Sequence, residues 1–323
     1  MIEIDSNTPK KSLGDQLRTY GWLYEEEKIS DVEMPGQGNM NVVLRVTTNK
    51  RSFILKQSRP YVQKYQQIEA PLERIAVEYQ FYRSLKEPSI RGNFPRILAY
   101  NPSHYLMQLE DLGNCRELYY WYEDRAIDPG ELKSLTDILC AIHAQEAPVT
   151  YPENMELRRL NHQHIFVLPF MEENGFQLDD IQKGLQDLAM PYKNDRKIKK
   201  LVQAAGDRYL KPGKVLLHGD YYPGSWMRAK NKLYVIDPEF SFLGFPEFDL
   251  GVMTAHAIMA TGDTAYTKNI IGLYGGKISE SLVGRIAGIE IMRRLIGLAQ
   301  LPLQRNLEEK EYLLSAASKL ILQ

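Results

Sequence analysis

The sequence is poor in cysteine: Cys115 and Cys140 are the only two in 323 residues, and no CxxC spacing occurs. That excludes a disulfide framework and a thiolate metal site, and makes a reduced cytoplasm the expected home. Long hydrophobic runs are missing too, with no stretch of about 18 apolar residues to span a bilayer. The opening MIEIDSNTPKK has no apolar segment behind a basic start, so no secretory signal is expected. Neither sign of charge dominates: 40 Lys and Arg against 41 Asp and Glu leave a formal net charge of −1. A broad electrostatic grip on nucleic acid or an anionic membrane is therefore not expected. The expected partner is a small molecule, with a homodimer left open. Internal repeats are absent, as is the phosphate-loop spacing GxxxxGK[ST].

What remains is ordinary globular material, 44% hydrophobic and 25% charged, long enough for two lobes. Residues 13–25 read as a short helix. The stretches 34–46 and 52–57 read as a hairpin turning at Asn49-Lys50, behind a glycine loop, PGQGNMN, at 35–41. In 71–87, apolar residues at 72, 75, 76, 79, 82 and 85 have helical spacing, with Pro71 suiting the first turn and Pro88 just past the end. Two more strands are predicted at 94–100 and 104–113, turning at Asn101-Pro102. Helical patterns then dominate at 115–145, 176–210, 248–260, 265–274 and 280–303, with short strands in VLLHGD and KLYVIDPEF. The predicted fold class is α+β, with a strand-rich N-lobe over 1–111 and a helix-rich C-lobe over 112–323.

The chemistry concentrates in HGDYYPGSWMRAKNKLYVIDPEF (218–240). Phosphoryl transfer needs one acid near the acceptor hydroxyl and others to hold Mg²⁺ on the triphosphate. Asp220 and Asp237, on two loops joined by a short strand pair, supply that division, and Glu239 adds another hard oxygen. In the first half, Lys56 ends the strand SFILKQ, and Glu78 borders the apolar face of the following helix. A carboxylate there needs a partner. Lys56 is one candidate and Arg74 the other. Glycines in the 35–41 loop would let backbone amides approach phosphate. A plain hairpin turn would look the same.

With these motifs assembled, the sequence resembles the aminoglycoside phosphotransferase and choline kinase superfamily, and within it the 5-methylthioribose kinase family. The resemblance is carried by GNMNVVLRV (38–46), ILKQSRPYV (54–62), LEDLG (109–113), HGDYYPGS (218–225), IDPEFSFLG (236–244) and MRRLIGLA (292–299). It implies a protein-kinase-like fold, ATP and Mg²⁺ as cofactors, Asp220 as catalytic base, and Asp237 and Glu239 as metal ligands. Ser225 stands where the superfamily usually has a second metal ligand, Asn, and the narrower family also has Ser. Lys56, oriented by Glu78, would contact the nucleotide phosphates, Gly38 and Asn39 belong to the glycine loop, and Glu110 and Leu112 belong to the hinge that reads adenine. Arg293 and Arg294 would lie at the sugar and the transferred phosphate. Tyr221-Tyr222-Pro223 departs from the family's Leu-His-Thr.

The arginines also have a reading of their own. They interrupt an apolar helix, IAGIEIMRRLIGLAQL, and adjacent positions point about 100° apart, so at least one should approach the buried side. A salt bridge to Glu290 would account for them equally well. Two rival functions remain. The run YYWYEDR (119–125), with Tyr221, Tyr222 and Trp226, could cage a quaternary amine. A catalytically silent nucleotide-binding scaffold would share the fold, although Lys56, Asp220, Asp237 and Glu239 together argue against it.

Overall fold

Strict alternation organises the first sheet. In a computed structural model that describes residues 3–36 and 40–323, Val42, Leu44 and Val46 point inward from one strand while Val43 and Arg45 point outward. The chain forms two compact units, Met1–Cys115 and Arg116–Gln323.

In the first unit, α1 (Lys10–Thr19) precedes β1 (Ile29–Glu33), β2 (Val42–Thr48) and β3 (Ser52–Gln57). A small hairpin, β4 (Tyr61–Val62) and β5 (Tyr65–Glu69), leads to α2 (Arg74–Ser84), α3 (Pro88–Arg91), β6 (Ile97–Asn101) and β7 (Leu106–Glu110). The main sheet has the order β1-β2-β3-β7-β6 and is antiparallel throughout. Its inward residues Leu44, Val46, Phe53, Leu55 and Leu106 share one core with Leu13 and Leu17 of α1 and with Ile4 and Leu23. Both predicted hairpins form. The first helix runs 10–19 rather than 13–25, because the Gly21 and Trp22 amides fold back onto the carbonyls of Arg18 and Leu17 and close its end. The second spans 74–84 rather than 71–87. Leu85 and Glu87 are extended, and the residue before a proline resists the helical region.

The second unit carries β8 (Cys115–Glu117), α4 (Tyr120–Asp124), α5 (Pro129–His143), α6 (Met155–His162), α7 (Leu185–Asn194) and α8 (Arg196–Tyr209). There follow β9 (Val215–Leu217), β10 (Trp226–Ala229), β11 (Lys232–Val235), β12 (Phe242–Gly244), α9 (Glu247–Thr261), α10 (Tyr266–Tyr274), α11 (Glu280–Ile296) and α12 (Leu307–Leu322). Two small sheets, β11-β10-β8 and β12-β9, bracket the loops that carry the acids. The expected helix at 115–145 opens instead with a strand. That at 176–210 breaks at Asp195, whose carboxylate caps the Lys197 and Ile198 amides. The helix expected to reach 303 stops at Ile296, with Gly297 extended. Helices α6 and α12 lie outside the predicted set. α11 runs through the interior, with Arg285 the one residue from Leu282 to Ile296 that is not buried.

Candidate active site

In the first unit, Lys56 Nζ meets Glu78 Oε2 at 2.6 Å, with side chains 3% and 0% exposed. The register sets Lys56 opposite Val43 of β2 and Met107 of β7, on the face of the sheet away from Phe53 and Leu55, and one face of α2 presents Glu78. Tyr82 also donates its hydroxyl to Glu78. Arg74, the other partner considered for Glu78, directs its guanidinium to Asn41 Oδ1 and to the carbonyls of Met40, Arg59 and Pro71. Removing one member of such a buried pair leaves an uncompensated charge, a loss of about 3–5 kcal/mol. Gly38 and Asn39 lie outside the described residues. Glu110, at the end of β7, forms a two-pronged pair with Arg96 at 3.1 and 3.2 Å, and Leu112 is half-buried just beyond.

In the second unit, two backbone amides fix the loop between β9 and β10. His218 N–H donates to Asp249 Oδ2 at 2.7 Å and Gly219 N–H to Asp249 Oδ1 at 3.0 Å. His143 Nε2 lies 3.2 Å from the same carboxylate, and His143 Nδ1 meets Tyr274 OH at 2.9 Å. The His218 ring bonds the carbonyl of Ile236, so it ties the Asp220 loop to the strand end that leads into Asp237. Gly219 has φ +85°, and a Cβ there would collide with the Phe240 carbonyl, so the turn demands glycine.

Asp220 emerges from this turn with its side chain 20% exposed, and Arg294 Nη2 stands 3.5 Å from its Oδ1. Burial pushes the Asp220 carboxyl up to about 6. Arg294 and Arg293 pull it back down, while Glu290 and Glu239 add to the rise. The Arg294 guanidinium lies 4.7 Å above the Tyr222 ring, and the Tyr222 and Tyr119 hydroxyls are 3.3 Å apart. Gly224 makes room for that pair, since a Cβ there would strike both hydroxyls. Both arginines are buried and both bond Glu290, as the salt-bridge reading expects, and Arg294 also stands beside Asp220.

Ser225 donates its hydroxyl to the Asp220 carbonyl at 2.9 Å, leaving oxygen lone pairs for another partner. Asp237 sits at φ 61° and ψ 47°, a left-handed conformation that aspartate tolerates better than most residues. Glu239 is buried two residues on. Glu117, on β8, is pushed up to about 7, first by desolvation and then by the charge of Asp237. Glu117 and Asp237 are thus near enough for their charges to interact. Among the described residues, no group of three or more His, Cys, Asp or Glu side chains forms a metal-holding cluster.

Of the aromatics considered for a cage, Tyr221 and Trp226 are fully buried. Tyr221 donates to the Leu135 carbonyl at 2.7 Å, and Trp226 packs on Tyr221 and Trp121. Tyr222 packs against Arg294, and Tyr119 meets the Tyr222 hydroxyl. Sequence reasoning missed Asp249, His256 and Glu117. For Asp249 and His256 the available signal was a polar residue inside the otherwise apolar run FDLGVMTAHAIMA. Glu117 offered none.

A methylthioribose kinase of Pectobacterium atrosepticum is 27% identical over 259 residues, covering 76% of this chain and 64% of the relative. The chain thus spans less than two thirds of that relative's length. Among solved structures, the AMP-bound spectinomycin phosphotransferase superposes with a TM-score of 0.58 at 15% identity, covering 98% of this chain and 99% of that one. The choline kinase LicA from Streptococcus pneumoniae gives 0.52 at 14% identity, covering 96% and 98%. Both are small-molecule phosphotransferases with a protein-kinase-like α+β fold, and this chain shares that fold. The phosphotransferase enzyme family matches residues 31–285, and the chain belongs to it.

Proposed function

We propose that the protein is an ATP- and Mg²⁺-dependent kinase that phosphorylates a hydroxyl of a small molecule, with 5-methylthioribose or a related sugar as acceptor. The observation that carries the reading is the placement of Asp220, a partly desolvated carboxylate held 3.5 Å from a buried guanidinium. In this reading Asp220 accepts the acceptor's hydroxyl proton, and Arg294 and Arg293 meet the charge that develops on the transferred phosphoryl group. Lys56, steered by Glu78, contacts the nucleotide phosphates. Gly38 and Asn39 of the glycine loop cover them, and the backbone around Glu110 and Leu112 reads adenine. Asp237, Glu239 and the Ser225 hydroxyl would hold Mg²⁺, which would offset the charge of the nucleotide phosphates.

The acceptor preference follows from charge. A cationic amine would share its surroundings with two guanidinium groups, and the Tyr222 face is already covered by Arg294. That disfavours choline, amino alcohols and aminoglycosides, whatever related folds act on. A neutral sugar meets no such repulsion, and the methylthioribose kinase relative supports the same choice. The test is ADP release with Mg²⁺-ATP across 5-methylthioribose, ribose, choline, ethanolamine and an aminoglycoside. Methylthioribose should give the highest kcat/KM. A preference for a cationic acceptor would overturn the substrate assignment. ATP binding without turnover on any acceptor would favour the silent scaffold.

The metal assignment has its own expected result. Glu239→Ala should raise the Mg²⁺ concentration needed for half-maximal rate by about tenfold, as for one lost ligand or its outer-shell support. An unchanged Mg²⁺ titration would make Glu239 structural.

A further inference from the structure

We propose that Glu290 is a positioning residue: its carboxylate, itself oriented by a Tyr122–His256 chain, fixes the Arg294 guanidinium against the Asp220 carboxylate. The effect on turnover rests on the kinase reading above; the placement rests on geometry alone.

Three separate elements converge on this carboxylate. Glu290 lies on α11, His256 on α9 and Tyr122 on α4, with exposures of 1%, 0% and 4%. Glu290 Oε1 receives Arg294 Nε at 2.6 Å, Arg293 Nη1 at 3.2 Å and His256 Nε2 at 3.3 Å, and Oε2 receives Arg293 Nη1 at 3.0 Å. On its far side the His256 ring meets the Tyr122 hydroxyl at 2.5 Å through Nδ1. The arginines hold Glu290 well below the usual carboxylate range, so it is ionised and can only accept. His256 must therefore donate from Nε2. Burial lowers its pKa to about 4, so the ring is neutral and Nδ1 accepts from the Tyr122 O–H. Each group in the chain has a defined role, and none is free to rotate without breaking a bond.

The charge count separates positioning from simple stabilisation. One buried carboxylate needs one cation, yet two guanidinium groups share Glu290. Replacing a buried ion network by apolar residues is often neutral or stabilising, so stability alone does not account for it. The surplus is directed. With Nε held by Glu290, the same planar guanidinium brings Nη2 to Asp220 at 3.5 Å and lies over Tyr222. Without the Nε anchor, the long arginine side chain would keep its charge and lose its aim.

The test combines kinetics and spectroscopy on Glu290→Gln, Tyr122→Phe and Arg294→Ala, alone and in pairs, with Mg²⁺-ATP and 5-methylthioribose. Glu290→Gln should lower kcat about 30-fold and Tyr122→Phe about threefold, with the ATP Kd and the acceptor KM each within about threefold of wild type. On an Arg294→Ala background each should cost less than about twofold more, because the residue through which they act is already gone. Full additivity in that cycle would overturn the proposal. Wild-type protein inactive on every acceptor would defeat the kinase reading and leave the placement to be read from the Arg294 Nε–H nuclear magnetic resonance signal, assigned by its loss in Arg294→Lys. That signal should exchange slowly in wild type and shift in both Glu290→Gln and Tyr122→Phe. A signal indifferent to both changes would overturn the placement. Should Glu290→Gln fail to fold, Tyr122→Phe carries both readouts.

Discussion

Asp220→Asn should lower turnover by about two to four powers of ten while leaving ATP affinity nearly intact, the range expected for a lost general base. The amide keeps the shape of the carboxylate and cannot take the proton. In the wild type, kcat/KM should fall with acidification below about pH 6, because burial holds the carboxyl there and protonation removes the base. Stability should move the opposite way. A carboxyl raised from its unfolded value near 3.8 to about 6 binds a proton more readily in the folded state. Folding stability is thus favoured at acid pH and declines as pH rises through that window. At neutral pH the cost approaches about 3 kcal/mol for a shift of this size, and less here because one-fifth of the side chain meets solvent. Asp220→Asn should therefore melt no lower than wild type at pH 7.5, even after losing its attraction to Arg294. Near-normal turnover would remove Asp220 from the role of base, and a collapsed melting temperature would make it a structural residue.

The parts of the site that were legible in the sequence share a physical cause. Lys56 and Glu78 could be paired because a helix period places Glu78 beside Ile75, Phe81 and Tyr82, where an unpaired charge is costly. Asp220 and Asp237 could be singled out because each follows a short apolar strand, on two loops joined by a short strand pair. The hairpins of the first unit followed from alternation, as Val42, Leu44 and Val46 demonstrate. Contacts between distant helices were not legible. Asp249 sits in the first turn of α9, where an acid is ordinary for local reasons, and only the fold brings the His218 and Gly219 amides to it. His256 and Tyr122 are separated by 134 positions, and no periodicity connects them. Trp226 and Tyr221 could be read from the sequence either as a binding wall or as core, and burial makes both of them core. The helix expected to run to 303 failed at Gly297, where apolar spacing continued but the backbone turned extended.

Arg294→Ala should reduce turnover on methylthioribose by about two to three powers of ten, the loss typical when one preorganised donor to developing charge is removed. The ATP dissociation constant should change little, since an interaction made chiefly in the transition state lowers kcat rather than ground-state binding. Arg293→Ala should cost less. Arg293 bonds Glu290 alone among the site carboxylates, whereas Arg294 reaches both Glu290 and Asp220. The acid limb of the rate profile gives a second, independent sign. Arg294 pulls the Asp220 carboxyl down against its burial, so its removal should move that limb to higher pH. Arg294→Lys should leave the limb close to its wild-type position, because the positive charge persists. It should recover only part of the rate, because an ammonium cannot reproduce the planar donor that meets Glu290 and Asp220 together. A limb that stays in place in Arg294→Ala would mean that Arg294 does not act on Asp220. Normal turnover in both alanine variants would defeat the arginine pair's part in the reaction, and with it the charge argument for a sugar acceptor, while leaving Asp220 and the family fold untouched.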